Sequence, residues 1–152
     1  MSGKLLLPYK AAIIQELGKD ALYEDQINHV GEREFGIRWG GTYPSDRVPP
    51  LKKDRFYVVN NSGHKGAGTH WLALYSSKGG RVYVYDSFAR PITRLIPRTV
   101  RKIRHESILE EANYIPDQRG ASSVCGHLSL AWLLLVRDMG IRKALEGVVD
   151  TV

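Results

Sequence analysis

Cysteine is almost missing: Cys125 is the single one among 152 residues. No intrachain disulfide is possible, which points to a reducing compartment or to a fold that does not need oxidation. Long hydrophobic runs are missing too. The longest, Leu128–Val136, is broken by Ser129 and falls far short of the ~20 residues a membrane span needs. Met1–Pro8 carries one lysine and three leucines with no long apolar region or small-residue cleavage site behind it, so no signal peptide is expected. There is no internal repeat and no low-complexity tract. One cysteine and scattered histidines give no paired ligands for zinc, and no metal is expected. Gly63, Gly66 and Gly68 form a glycine-rich stretch, but the Lys-Ser/Thr and helix of a phosphate-binding loop do not follow it.

Acidic residues are absent from Ser87 to His105, where Arg90, Arg94, Arg98, Arg101, Lys102 and Arg104 fall together. Outside this segment 16 basic residues face 16 acidic ones, so it carries the whole net charge of +6. An anionic partner such as DNA is expected there. A solvated basic helix face reads equally well from the same residues. The length suits one compact domain, able to bury roughly 70% of its unfolded surface. Hydrophobic content of 43% and charged content of 25% are ordinary for a globular chain and argue against disorder.

Lys10–Leu17 has Ala11, Ile14 and Leu17 at helical spacing and stops at Gly18. Ala21–Val30 reads as a second short helix, and Gly36–Pro50, rich in glycine and proline, as loop. Three strands are expected at Arg55–Asn60, His70–Ser76 and Arg81–Phe88. The last two flank Ser77-Lys78-Gly79-Gly80, a good hairpin turn. Thr99–Tyr114 reads as a helix with Val100, Ile103, Ile108 and Ala112 on its apolar side, stopped by Pro116. Ile115–Val124 is irregular. Gly126–Met139 is an apolar, buried helix, Gly140 breaks it, and Ile141–Val149 forms a last one. The order implies an α+β fold with a small, mainly antiparallel sheet packed on helices.

His70 lies eight residues before Lys78 and Asp86 eight after it. A turn centred on Lys78 makes them direct cross-strand partners, with Cβ atoms ~5 Å apart. The carboxylate would then fix the imidazole tautomer and favour the imidazolium. Cys125 sits where an irregular loop enters the apolar helix. Free backbone N–H groups and the helix dipole stabilise a thiolate there, and a nearby imidazolium lowers its pKa further. Gly126 would leave room for substrate backbone beside the sulfur. A small buried hydrophobe is the bland alternative for Cys125. Gln118, seven residues before the thiol, can donate to a developing oxyanion together with the Cys125 N–H. Trp71 either walls a narrow cleft or is a partly buried sheet aromatic. His127, two residues into the helix, points away from Cys125.

These motifs together resemble the adenain family, the adenovirus maturation proteases. Its wider fold group includes the proteases that cleave SUMO and other ubiquitin-like tails. The resemblance spans Gly41 to Val136. It rests on Gly41-Thr42-Tyr43 followed by prolines, on Val59-Asn60 and then Gly68-Thr69-His70-Trp71, on Tyr85-Asp86-Ser87-Phe88, and on Gln118 through Cys125-Gly126. It implies a papain-like site in the order His, acid, Gln, Cys, with the nucleophile at the N-terminus of a buried central helix. It implies cleavage at glycine-containing sites, with Trp71, Gly68 and Gly126 lining the cleft. Activation by DNA, held by the Arg90–Arg104 segment, and by a short peptide belongs to the same picture.

Departures are visible. The chain is shorter than adenain and lacks most of its C-terminal extension. Asp86 stands where adenain carries Glu in a Glu-Pro-Phe context. With Cys125 as the only thiol, an activating peptide would have to bind non-covalently. The expectation is a monomeric cysteine endopeptidase that needs no cofactor for its chemistry. It would process virion precursors in the host nucleus and the virion. A protease for ubiquitin-like modifiers and, from another class, a non-catalytic DNA-binding protein on the same scaffold are the competing readings.

Overall fold

The structure, a computed structural model, describes residues 5–62, 70–118 and 122–148. Two helices open it, α1 (Leu7–Leu17) and α2 (Glu24–Phe35), and a short 3₁₀ turn over Gly36–Arg38 leads into β1 (Trp39–Pro44). Then come β2 (Arg55–Asn60), β3 (Trp71–Ser76), β4 (Arg81–Tyr85), α3 (Ile92–Leu95), α4 (Pro97–Glu106), β5 (Ile108–Glu111) and α5 (Cys125–Val148). Pro8 and Pro97 sit in the first turns of α1 and α4, where no N–H partner is lost. In α2 the first turn carries Glu24 and Asp25 at the positive end of the dipole, and Gln26 Oε1 accepts the Tyr23 N–H at 2.8 Å.

The architecture is α+β around a five-stranded sheet in the order β1-β2-β3-β4-β5. The sheet is mixed rather than mainly antiparallel: β2–β3 and β3–β4 run antiparallel, while β1–β2 and β4–β5 run parallel. Both parallel edges are strands that the sequence hides. β1 lies inside the expected Gly36–Pro50 loop. Gly40 reads as a breaker, yet a Cβ there would fall 2.2 Å from the Tyr57 ring, so glycine is what lets this strand approach β2. β5 lies inside the expected Thr99–Tyr114 helix, which ends at Glu106 because Ser107 turns extended (φ −145°, ψ 165°). The five-residue step from Ile103 to Ile108 already breaks the helical period.

Two cores flank the sheet. Phe56, Val58, Ala73, Tyr75 and Tyr85 pack with Leu128, Leu130 and Trp132 of α5, and α1 and α2 contribute Ile13, Ile27 and Val30. Trp132 is fully buried and stacks on Tyr85 with centroids 5.4 Å apart. On the other face Tyr57, Val59, Leu72, Leu74, Val82 and Val84 pack with Ile92, Ile96, Val100 and Ile103 from α3 and α4. The apolar run Leu130–Val136 is buried throughout, as expected for a helix covered on all sides. The helical path breaks at Gly140 (φ 85°, ψ 164°). Among the described residues no helix is long and apolar enough to cross a membrane.

Candidate active site

His70 lies immediately before β3 and Asp86 immediately after β4. The β3–β4 register pairs Ala73 with Tyr85 and Ser76 with Val82. The hairpin is therefore centred on Gly79, and continuing it sets His70 opposite Phe88, not Asp86. The expected direct pairing is displaced by two residues. A two-residue offset keeps both side chains on one face, where a one-residue slip would have parted them. The carboxylate reaches the ring diagonally: Asp86 Oδ1 hydrogen-bonds His70 Nε2. Phe88 packs beside the ring, centroids 5.4 Å apart. The carbonyl of His70 accepts the Asn61 N–H at 3.0 Å, which ties the residue to the end of β2.

Cys125 is the first residue of α5. Its sulfur accepts the Trp71 backbone N–H at 3.5 Å, and the His70 ring and the Gly126 N–H lie near enough to stabilise its charged form. With Nε2 engaged by Asp86, Nδ1 is the ring nitrogen left for sulfur. His70, Asp86 and Cys125 are 5%, 1% and 7% exposed, and burial opposes charge on all three. Burial would push the Cys125 thiol up, but His70, the Trp71 N–H and the Gly126 N–H outweigh it and hold the thiol pKa below its usual value. Burial likewise works to lower His70, and the bonds to Asp86 and Cys125 overcome it, leaving the imidazole raised. Asp86 is depressed: burial is outweighed by His70 and the Arg90 N–H. A thiolate facing an imidazolium is the form these shifts favour.

Gln118 is 3% exposed. Its Nε2 donates to Ser122 O at 2.6 Å and its Oε1 accepts the Ser87 hydroxyl at 2.5 Å. Ser122 O is an obligate acceptor, so the NH₂ end of the amide faces the chain leading into Cys125 and keeps one further hydrogen. Trp71 is partly exposed and pinned through Nε1 to Leu22 O at 3.1 Å. A Cβ on Gly126 would come within 3.2 Å of both Leu22 and Trp71. On that side, the room expected for substrate is already filled by protein. Gly68 lies outside the described residues. His127 is fully buried and bonds Gly18 O at 2.7 Å through Nε2, away from the sulfur.

The six basic residues separate into two groups. Arg90 belongs to the site: its N–H and Nε donate to Asp86 Oδ2 at 2.8 and 3.3 Å, and its guanidinium lies over Phe88. Arg94 on α3 and Arg98, Arg101, Lys102 and Arg104 on α4 are exposed, opposite the buried Thr99, Val100 and Ile103. Lys102 Nζ also donates to Val48 O. An open hollow runs along Arg98, Arg101, Lys102 and His105.

Asn113 and the roles of Ser87 and Arg90 were not legible in the sequence. Asn113 shares no motif with Asp86, and only the strand register brings the two together. Among the described residues no group of three His, Cys, Asp or Glu could hold a metal ion. No protein-family model matches this chain, and no curated protein matches it in sequence.

Proposed function

We propose that the chain is a cysteine endopeptidase with Cys125 as nucleophile, His70 as general base and acid, and Asp86 as the group that orients His70. One observation carries the reading. The open end of the β3–β4 hairpin docks on the N-terminus of α5, so that a buried carboxylate hydrogen-bonds an imidazole that lies beside the only thiol. The Cys125 thiolate attacks a peptide carbonyl, forming a carbon–sulfur bond. The Cys125 N–H and the remaining Gln118 amide hydrogen receive the oxyanion, where one such donor lowers the barrier by ~3 kcal/mol. The imidazolium protonates the leaving amine, and a water deprotonated by His70 releases the acyl group.

The resemblance to the adenain family supplies the substrate class of this proposal, peptide bonds at glycine-containing sites of virion precursors, and Trp71 beside the sulfur suits such small residues. The test uses peptides containing Gly-Gly, alongside ubiquitin and SUMO fusions. Cleavage should be lost in Cys125→Ala and His70→Ala and fall strongly in Asp86→Asn. Full cleavage by Cys125→Ala overturns the reading, and preference for the fusions moves it to the modifier proteases.

The exposed basic face of α3 and α4 favours a second role, binding of DNA as an activator or, without catalysis, as the activity itself. Thiol labelling at Cys125 by a Gly-Gly vinyl sulfone, with and without duplex DNA, separates the two. Labelling stimulated by DNA supports the activator, and DNA binding without labelling supports the non-catalytic alternative.

A further inference from the structure

Asp86 stands where the sheet ends, and a backbone that leaves a sheet loses its ladder partners. The β4–β5 ladder pairs Arg81 with Ile108 through Val84 with Glu111, and Ala112 N–H still donates to Val84 O at 2.8 Å. Two residues beyond Val84 and Glu111 this register sets Asp86 against Asn113, and there the ladder changes character. Asn113 Oδ1 accepts the Asp86 N–H at 3.3 Å, and Asn113 Nδ2 donates to Asp86 O at 2.7 Å. One side-chain amide replaces a strand and holds the acid residue's peptide groups on both sides. Nδ2 also reaches Ile115 O at 3.5 Å, and Asn113 is 4% exposed. The donor and acceptor identities of its partners fix the orientation of the amide. Immediately after Asp86 the chain turns sharply, with Ala89 N–H on Asp86 O at 2.8 Å and Ala89 at φ 53°.

We propose that Asn113 is a positioning residue of the active site, whose side-chain amide clamps the Asp86 backbone so that its short carboxylate reaches His70. This inference rests on the proposed His70–Asp86–Cys125 chemistry and extends it to a residue that touches none of the reacting atoms. The charged and titratable groups around Asp86 are His70 ahead of β3, Arg90 in the following turn, Cys125 on α5 through His70, and Asp117, which holds the Tyr85 hydroxyl at 2.9 Å. Asn113 is the neutral member of this set, so it acts on the pair by geometry. An aspartate has one methylene fewer than a glutamate with which to correct a misplaced backbone.

Cys125 is the only thiol, so its alkylation by iodoacetamide as a function of pH reads the thiolate whether or not any peptide is cleaved. NMR titration of the His70 ring reads its partner. With a weaker Asp86–His70 bond, the thiolate forms at higher pH and the imidazolium is lost at lower pH. Asn113→Ala should therefore move the rise in alkylation rate to higher pH and the His70 ring titration to lower pH, each by about one pH unit. Peptide cleavage should fall on the order of tenfold to a hundredfold in kcat with KM nearly unchanged. In an Asp86→Asn background the same substitution should add little, because both act through one bond. If Asn113→Ala does not fold, Asn113→Ser, whose hydroxyl makes at most one of the two hydrogen bonds, is read in the same way. A lowered melting temperature with the thiolate rise and the His70 titration both unmoved, or equal losses in both backgrounds, overturns the proposal. An ordinary free-thiol profile in the unsubstituted chain overturns the catalytic reading itself, and the clamp's role with it.

Discussion

Asp86 is almost wholly buried, yet its carboxylate has four donors: the His70 ring, the Arg90 and Phe88 backbone N–H groups, and Arg90 Nε. That satisfaction is what allows a charge to stay ionised away from water. The pH dependence follows from opposite shifts. Asp86 is depressed from 3.8, so its contribution to stability is present above 3.8 and lost as pH falls through the folded value. His70 is raised from 6.5, so its contribution is full below 6.5 and lost as pH rises through the folded value. Both are present between these limits. Asp86→Asn should therefore cost about 2 kcal/mol near pH 5 and less above the folded His70 pKa, measured as paired urea midpoints. Equal gaps below and above the His70 titration, as located by NMR, would show that the pair is not ionised in the fold.

At the scale of elements, the position of Cys125 depends on how closely α5 packs at its first turn. The Trp71 N–H donates to the sulfur and the Trp71 indole is anchored on Leu22 O, so the start of β3, the chain before α2 and the mouth of α5 form one joint. Gly126 lies within it, where an added Cβ meets Leu22 and Trp71 at 3.2 Å. Gly126→Ala should destabilise the chain by roughly 1–3 kcal/mol and slow Cys125 alkylation by displacing the Trp71 N–H. An unchanged melting temperature together with an unchanged alkylation rate would show that the joint yields freely. A second tie joins α1 to α5 through His127 and Gly18 O. Burial lowers the His127 pKa despite that bond, so the fold favours the neutral ring.

Across the whole molecule, charge is arranged differently on its two sides. Arg33 pairs with Glu16 and Glu34, and Arg137 with Glu34 and Asp138, in a network joining α1, α2 and α5. Exposed pairs of this kind contribute little each. Arg94, Arg98, Arg101 and Arg104 form no such pairs among the described residues, and Glu106 is the acidic residue that shares the hollow of Arg98 and Arg101, so positive charge dominates this face. Arg98→Ala combined with Arg101→Ala should lower the slope of log K against log salt for duplex DNA by about 2, roughly 0.9 for each phosphate no longer neutralised. Alkylation of Cys125 without DNA should not change. An unaltered salt slope removes these two residues from any DNA surface.

Local pattern was sufficient for much of this molecule. The apolar run of α5, its break at Gly140, the β3–β4 hairpin and the concentration of positive charge are carried by neighbouring residues, because burial and turn chemistry repeat at short intervals along the chain. His70, Asp86 and Cys125 could be singled out, since their residue types suit one chemistry and the hairpin sets two of them on one face. Tertiary structure alone decided the two-residue hairpin offset, the hidden strands β1 and β5, the diversion of Arg90 to Asp86 and the Asn113 clamp. Each depends on which segment docks beside which, and a sheet edge or side-chain amide acquires its partner only when distant parts of the chain pack together.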